Sequence, residues 1–289
     1  MSGKAFLFGL IFITIIFSCN MSKEIKKGFL QVTDGEQIAY VLAGQGDTTL
    51  FFIHGWCINK EYWQIQIEHF SQNYKVVAID LPGFGESSKG RQSYEFSKYK
   101  EDVKKTIDSL KLENVIIIGH SMSGDIILSL ATTYPNSIIG LIGIDNLHEP
   151  NFSKDSVTEA QEAGFYDYME ANYDTAVNAS SRQYLFQPGT PDGIVNKVMQ
   201  NILATDRHIS VNVLRSLSAI SKTEREMMSK LIYPLKLVNS DVKPTKLDVL
   251  NQYCPKGAQV YYVRGTGHYP MIEKPEEFNQ ALQKAIHQN

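Results

Sequence analysis

Val115-Ile116-Ile117-Ile118-Gly119-His120-Ser121-Met122-Ser123-Gly124-Asp125 is the stretch whose reading decides the fold. A short, wholly apolar run of this length reads as a buried strand. The periodic stretch opened by Ser123-Gly124-Asp125 and continuing through Ile126 to Tyr134 reads as a helix. A serine on a sharp turn between strand and helix is a nucleophile elbow, in which small neighbours let the hydroxyl stand at the sheet edge. The helix behind it offers backbone N–H groups and the positive end of its dipole, which favour a developing oxyanion. The pentapeptide departs from G-x-S-x-G at its fifth position, where Ser123 stands and glycine arrives only at Gly124. Serine is small enough for the turn, so the departure is read as tolerated.

Outward from this stretch, strands are expected at Gly28–Thr33 and Gln37–Leu42, joined by an Asp34-Gly35 hairpin turn. Further strands are expected at Thr49–Ile53, Lys75–Ile79, Ile138–Ile144, Leu235–Val238 and Gln259–Val263. Helices are expected at Tyr62–Phe70, at Tyr94–Leu110 and from Glu276 to the end. Strand and helix alternate, and the strands are continuously apolar. That is the pattern of a mostly parallel sheet covered by helices on both faces, whose ligands bind at the carboxyl ends of the strands. From about Glu149 to Leu231 the rhythm breaks. Helical spacing in Phe152–Asp174, Gly193–Asp206 and Val211–Lys230 predicts a helical lid inserted between two sheet strands. Its aromatics Phe165, Tyr166, Tyr168, Tyr173, Tyr184 and Phe186 either line an apolar pocket or pack the lid onto the core. The domain plan is therefore a core of residues 28–148 and 232–289, with a lid of residues 149–231.

The 289 residues are 43% hydrophobic and 20% charged, with a net charge of −3, which is ordinary globular composition. No long basic run occurs, so nucleic acid is not an expected partner. The first residues stand apart. Ala5 to Phe17 is almost wholly apolar, suited to a signal-peptide core and short for a membrane span. Ile16-Phe17-Ser18-Cys19 resembles a bacterial lipoprotein signal, which implies a signal segment over residues 1–19 that is cleaved just ahead of Cys19, lipid attachment on Cys19, and a tether over residues 20–27. The expected place is the bacterial cell envelope, outside the cytoplasm and anchored to a membrane by the lipid. A plain secretory signal or an uncleaved anchor are the alternatives. Cys57 and Cys254 remain either as a disulfide or as two buried thiols.

Four short motifs at strand ends, in order, resemble the alpha/beta-hydrolase superfamily: His54-Gly55-Trp56, Asp80-Leu81-Pro82-Gly83-Phe84-Gly85-Glu86-Ser87, Gly119-His120-Ser121-Met122 and Gly265-Thr266-Gly267-His268-Tyr269-Pro270. The resemblance is to the compact, lidded esterase and haloperoxidase-like branch, and runs from about Lys27 to the C-terminus. It implies Ser121 as nucleophile, His268 as its base, and the backbone N–H groups of Trp56 and Met122 as the oxyanion hole. His54 and His120 are implied as structural. The acid departs from the usual pattern. Its ordinary position after the strand that follows the lid falls on Lys243, which leaves Asp145, at the end of the strand before the lid, as the expected acid and Asp241 as the alternative. The implied chemistry is cleavage of an ester or related acyl bond of a small or medium apolar substrate, with neither metal nor organic cofactor required. Serine at 121 argues against the aspartate-nucleophile chemistry of epoxide hydrolases and haloalkane dehalogenases in this fold. Two other readings are a ligand sensor on the same fold, and a membrane-tethered interaction protein with a degenerate site.

Overall fold

The computed structural model describes residues 25–150 and 159–287. The signal segment with Cys19, and Phe152 at the start of the first expected lid helix, lie outside the described residues. In chain order the core elements are β1 (Lys26–Gln31), β2 (Gln37–Ala43), β3 (Thr49–Ile53), α1 (Gln64–Phe70), β4 (Lys75–Ile79), α2 (Phe96–Ser109), β5 (Val115–His120), α3 (Ser123–Thr133) and β6 (Gly140–Ile144). The lid helices α4 (Glu159–Ala171), α5 (Tyr173–Tyr184), α6 (Asp192–Ala204), α7 (Arg207–Ser221) and α8 (Glu224–Ser229) follow. The chain then returns to the core through β7 (Leu235–Ser240), α9 (Leu247–Tyr253), β8 (Ala258–Val263), α10 (Pro270–Glu273) and α11 (Pro275–His287).

The described strands form one eight-stranded sheet in the order β1-β2-β4-β3-β5-β6-β7-β8. Only β1–β2 and β2–β4 pair antiparallel; every pair from β4–β3 to β7–β8 is parallel. This is the expected mostly parallel sheet with its helical lid between β6 and β7. Strands β3 and β5 are buried along their whole length, which is why they lack polar alternation. On the edge, β8 is only partly buried, and its Gln259-Val260-Tyr261-Tyr262 accordingly mixes polar and apolar residues.

Several local expectations differ from the structure, among them the single helix expected at Val211–Lys230, which breaks between α7 and α8. Strand β1 begins at Lys26, two residues inside the expected tether. The first hairpin turns through a short 3-10 segment, Thr33–Gly35, with Asp34 and Gly35 both at positive φ, rather than a two-residue turn. Finally, α5 covers residues between the expected lid helices. Its sequence is polar, yet Tyr173, Val177 and Ser181, spaced four apart, bury one narrow stripe.

Candidate active site

Ser121 sits at φ 52°, a left-handed conformation rare for a residue with a Cβ. The turn holds because its neighbours over-determine it. Ser121 N–H donates to Ile144 O at 2.9 Å, and Gly124 N–H donates to Ser121 O at 2.9 Å. A Cβ at Gly119 would lie 2.5 Å from the backbone oxygen of Ser123, so this position admits only glycine. The unexpected Ser123 does more than fit. Its hydroxyl donates to the carbonyl oxygen of His54 at 2.5 Å, joining the elbow to the loop after β3. That loop passes against the serine: a Cβ at Gly55 would come within 3.1 Å of Ser121 Cβ. Trp56 follows on this loop, and Met122 stands at the N-terminal end of α3.

His268 lies between Ser121 and Asp145. Its Nδ1 is 2.6 Å from Asp145 Oδ2, and its Nε2 is 2.7 Å from Ser121 Oγ. An ionised carboxylate only accepts, so Nδ1 carries the proton and Nε2 is left to accept from the serine hydroxyl. Burial favours the neutral form of Asp145. The hydrogen bond and electrostatic attraction of His268, His148, and the Ser240 N–H at 2.9 Å outweigh it and hold the carboxyl well below the usual range. Strand register brings these residues together. Ile144 pairs with His120 across β5 and β6, so Asp145 is one strand over from Ser121. Asp241 is not brought to His268: its Oδ1 accepts the Gly265 N–H at 2.8 Å and its Oδ2 faces Arg264 at 3.6 Å.

The loop that carries His268 is held by groups with no recognisable signal in the sequence. Glu273 accepts the N–H of Gly267 at 2.8 Å and of Tyr269 at 3.1 Å, bracketing the histidine. The lid contributes as well, since His268 N–H donates to Leu185 O at 3.1 Å. Asn146 donates from Nδ2 to Gly119 O at 2.8 Å, steadying the elbow strand. His148 Nε2 is 3.7 Å from Asp145 Oδ1, and burial pushes its pKa down against the pull of that carboxylate.

The other two motif histidines, His54 and His120, bond to backbone groups. His54 Nε2 accepts the Leu81 N–H at 3.0 Å and its Nδ1–H donates to Gly55 O at 2.7 Å, which joins the first two motifs. His120 Nε2–H donates to His268 O at 2.7 Å, and burial together with the neighbouring His268 pushes its pKa down to about 3. Asp80 is likewise a scaffold group. It accepts from Lys60 N–H at 2.6 Å, Lys60 Nζ at 2.8 Å and Glu86 N–H at 2.9 Å, all away from the serine.

A cavity of about 740 Å³ opens on Ser121 and His268, within the size of small-molecule sites. Its wall is more mixed than the expected apolar pocket: Leu147, Phe186 and Leu217 stand with Asp125, Glu224 and Lys243. Of the six lid aromatics only Tyr184 and Phe186 line it. Phe165 and Tyr168 are exposed, Tyr166 stacks under Arg215, and Tyr173 is buried in the lid. The Trp56 indole turns toward the lid, donating from Nε1 to Ser210 O at 3.0 Å. Cys57 and Cys254 are separate buried thiols, raised by burial to about 12 and about 11. Among the described residues no three His, Cys, Asp or Glu side chains are grouped to hold a metal.

A family model for the alpha/beta hydrolase fold matches residues 48–185. The chain is 33% identical to epoxide hydrolase 4 of Mus musculus over 44% of its own length and 36% of that protein, so it spans about a third of that relative. It is 23% identical to strigolactone esterase D14 of Arabidopsis thaliana, over 85% of this chain and 94% of that one. Among solved structures, a thermophilic esterase from Thermogutta terrifontis superposes with a TM-score of 0.78 at 20% identity, covering 90% of this chain and 98% of that one. That likeness is one of fold.

Proposed function

This chain carries the alpha/beta hydrolase fold, and from that premise we propose that it is a serine hydrolase that cleaves an ester or a related acyl bond. The observation that carries this reading is the single hydrogen-bonded series Ser121–His268–Asp145 at the carboxyl edge of the sheet, open to a cavity. Ser121 Oγ attacks the substrate carbonyl carbon while His268 Nε2 takes its proton. The N–H groups of Trp56 and Met122 receive the oxyanion. Collapse breaks the bond to the leaving alkoxide, which takes the proton from His268, and the acyl group remains on Ser121. Water then gives its proton to Nε2 and attacks the acyl carbon. Ser121 recovers the proton as it leaves, releasing the acid. Asp145 keeps Nδ1 protonated and stabilises the imidazolium throughout.

Esterases among the relatives support an ester substrate, while a serine in the nucleophile's place disfavours the chemistry named for the epoxide hydrolase relative. The mixed wall favours a substrate of small or medium size with at least one polar group. The N-terminal pattern supports an enzyme tethered outside the cytoplasm by lipid on Cys19. The test is turnover of a short-chain p-nitrophenyl ester series by the chain from Met21 onward, beside Ser121→Ala and His268→Ala. Turnover lost in both variants supports the reading. No turnover, with no labelling of Ser121 by a fluorophosphonate, refutes it in favour of a ligand-binding protein.

A further inference from the structure

We infer that Ser210, on lid helix α7, is a positioning residue that clamps the oxyanion-binding loop. The inference rests on the serine-hydrolase reading, because the loop matters to the reaction only where Trp56 N–H receives the oxyanion. Two consecutive loop residues reach the same lid residue. Trp56 Nε1–H donates to Ser210 O at 3.0 Å, and the Cys57 thiol donates to Ser210 Oγ at 3.3 Å. Behind it, Tyr173 Oη lies 2.8 Å from Ser210 Oγ and 2.9 Å from Ile202 O, which ties α5 and α6 into the same knot. Ser210 is fully buried and Cys57 nearly so, so water does not compete for the bond between the thiol and the hydroxyl.

The backbone explains why a clamp is needed. Cys57 stands at φ 56°, a left-handed conformation that a residue with a Cβ keeps only when its surroundings hold it. The Sγ–Ser210 bond is a side-chain contact that holds it there. On the opposite side, Ser123 Oγ grips His54 O. The segment from His54 to Cys57 is thus pinned from the core by one serine and from the lid by another. Oxyanion donors act through exact placement, and a donor misplaced by a fraction of an ångström loses transition-state stabilisation without losing ground-state binding. Ser210 therefore makes the lid part of the catalytic geometry as well as a wall of the cavity.

The test uses the full chain in detergent with a short-chain p-nitrophenyl ester and an alkyl boronic acid, whose tetrahedral adduct mimics the oxyanion. Ser210→Ala removes the hydroxyl, and Trp56→Phe removes the indole N–H while leaving the backbone donor. Asn201→Ala is the control: it breaks a different lid-to-core bond, Asn201 Nδ2 to Tyr62 Oη at 2.7 Å, and leaves the loop alone. The expected result is a kcat lowered about 10-fold or more in both loop variants, with KM within about 2-fold. Boronic acid affinity falls in parallel with kcat/KM, and Asn201→Ala keeps the wild-type kcat. Equal losses in Asn201→Ala and Ser210→Ala, or a change confined to KM, overturn the inference. If Ser210→Ala fails to fold, Trp56→Phe decides alone. Active wild type with unaffected variants refutes the positioning role only; wild type that neither turns over ester nor reacts with a fluorophosphonate refutes the hydrolase reading beneath it.

Discussion

The hydroxyl of Ser123 donates to the carbonyl oxygen of His54 at 2.5 Å, joining the elbow that carries Ser121 to the loop that carries Trp56. Both groups are buried. A glycine at this position would make the turn and leave that carbonyl without the bond. The departure from the usual pentapeptide is therefore a link between the two halves of the candidate oxyanion site.

Ser123→Ala keeps the size needed by the turn but strands a buried acceptor. It is expected to cost about 1–3 kcal/mol of unfolding free energy, and turnover falls as the loop loosens. Urea denaturation of the two proteins checks the first effect, and ester kinetics at a temperature where both are folded checks the second.

The acid assignment separates cleanly by an isosteric pair. Asp145→Asn presents an amide to His268 Nδ1 and favours the wrong imidazole tautomer. A fall in kcat of about a thousand- to ten-thousand-fold is expected. Asp241→Asn still offers an oxygen to the Gly265 N–H and is expected to stay within about 3-fold of wild type. Parallel kinetics on the two variants decide between the aspartates; a loss confined to Asp241→Asn would remove Asp145 from the mechanism.

Asp125, on the cavity wall, has its pKa raised well above 3.8, first by burial and then by the neighbouring Glu224 carboxyl. A folded-state pKa above the unfolded one means that the folded chain binds the extra proton between the two values. The stabilisation is complete below the ordinary aspartate range and is lost as pH rises through the folded value. Asp125→Asn removes this titration. Its urea midpoint is expected to fall less than that of wild type between pH 4 and pH 7.5, and to exceed it at the upper end.

Gly119→Ala would drive a Cβ to 2.5 Å from the backbone oxygen of Ser123 and 2.9 Å from the Ile127 side chain. Backbone cannot yield as a flexible side chain does, so a loss above about 3 kcal/mol is expected, with most of the protein insoluble. Expression and melting temperature beside wild type provide the check.

Lipid on Cys19 predicts that the full chain takes up labelled palmitate in a bacterial host and fractionates with membranes, and that Cys19→Ala does neither. Mass spectrometry of the N-terminal peptide reads the modification directly.

Much of this molecule was legible in its residues. Continuous apolar runs without alternation imply strands buried on both faces, and that alone predicts a parallel sheet between helix layers. The elbow, its serine and the histidine of Gly265-Thr266-Gly267-His268 were visible because tight turns demand small residues in fixed places. Spacing along the chain leaves Asp241 as an alternative to Asp145, since each ends a strand. Register sets their places: Ile144 pairs with His120, which puts Asp145 beside the elbow, while Asp241 turns to Gly265 and Arg264. Glu273, Asn146 and Ser210 likewise left no local trace, because a hydrogen bond to another segment's backbone imposes no pattern on the residues around the donor or acceptor. Local order is written in short-range sterics and periodicity; which distant groups meet depends on how the strands align and where the lid lands, and only the packed chain decides that.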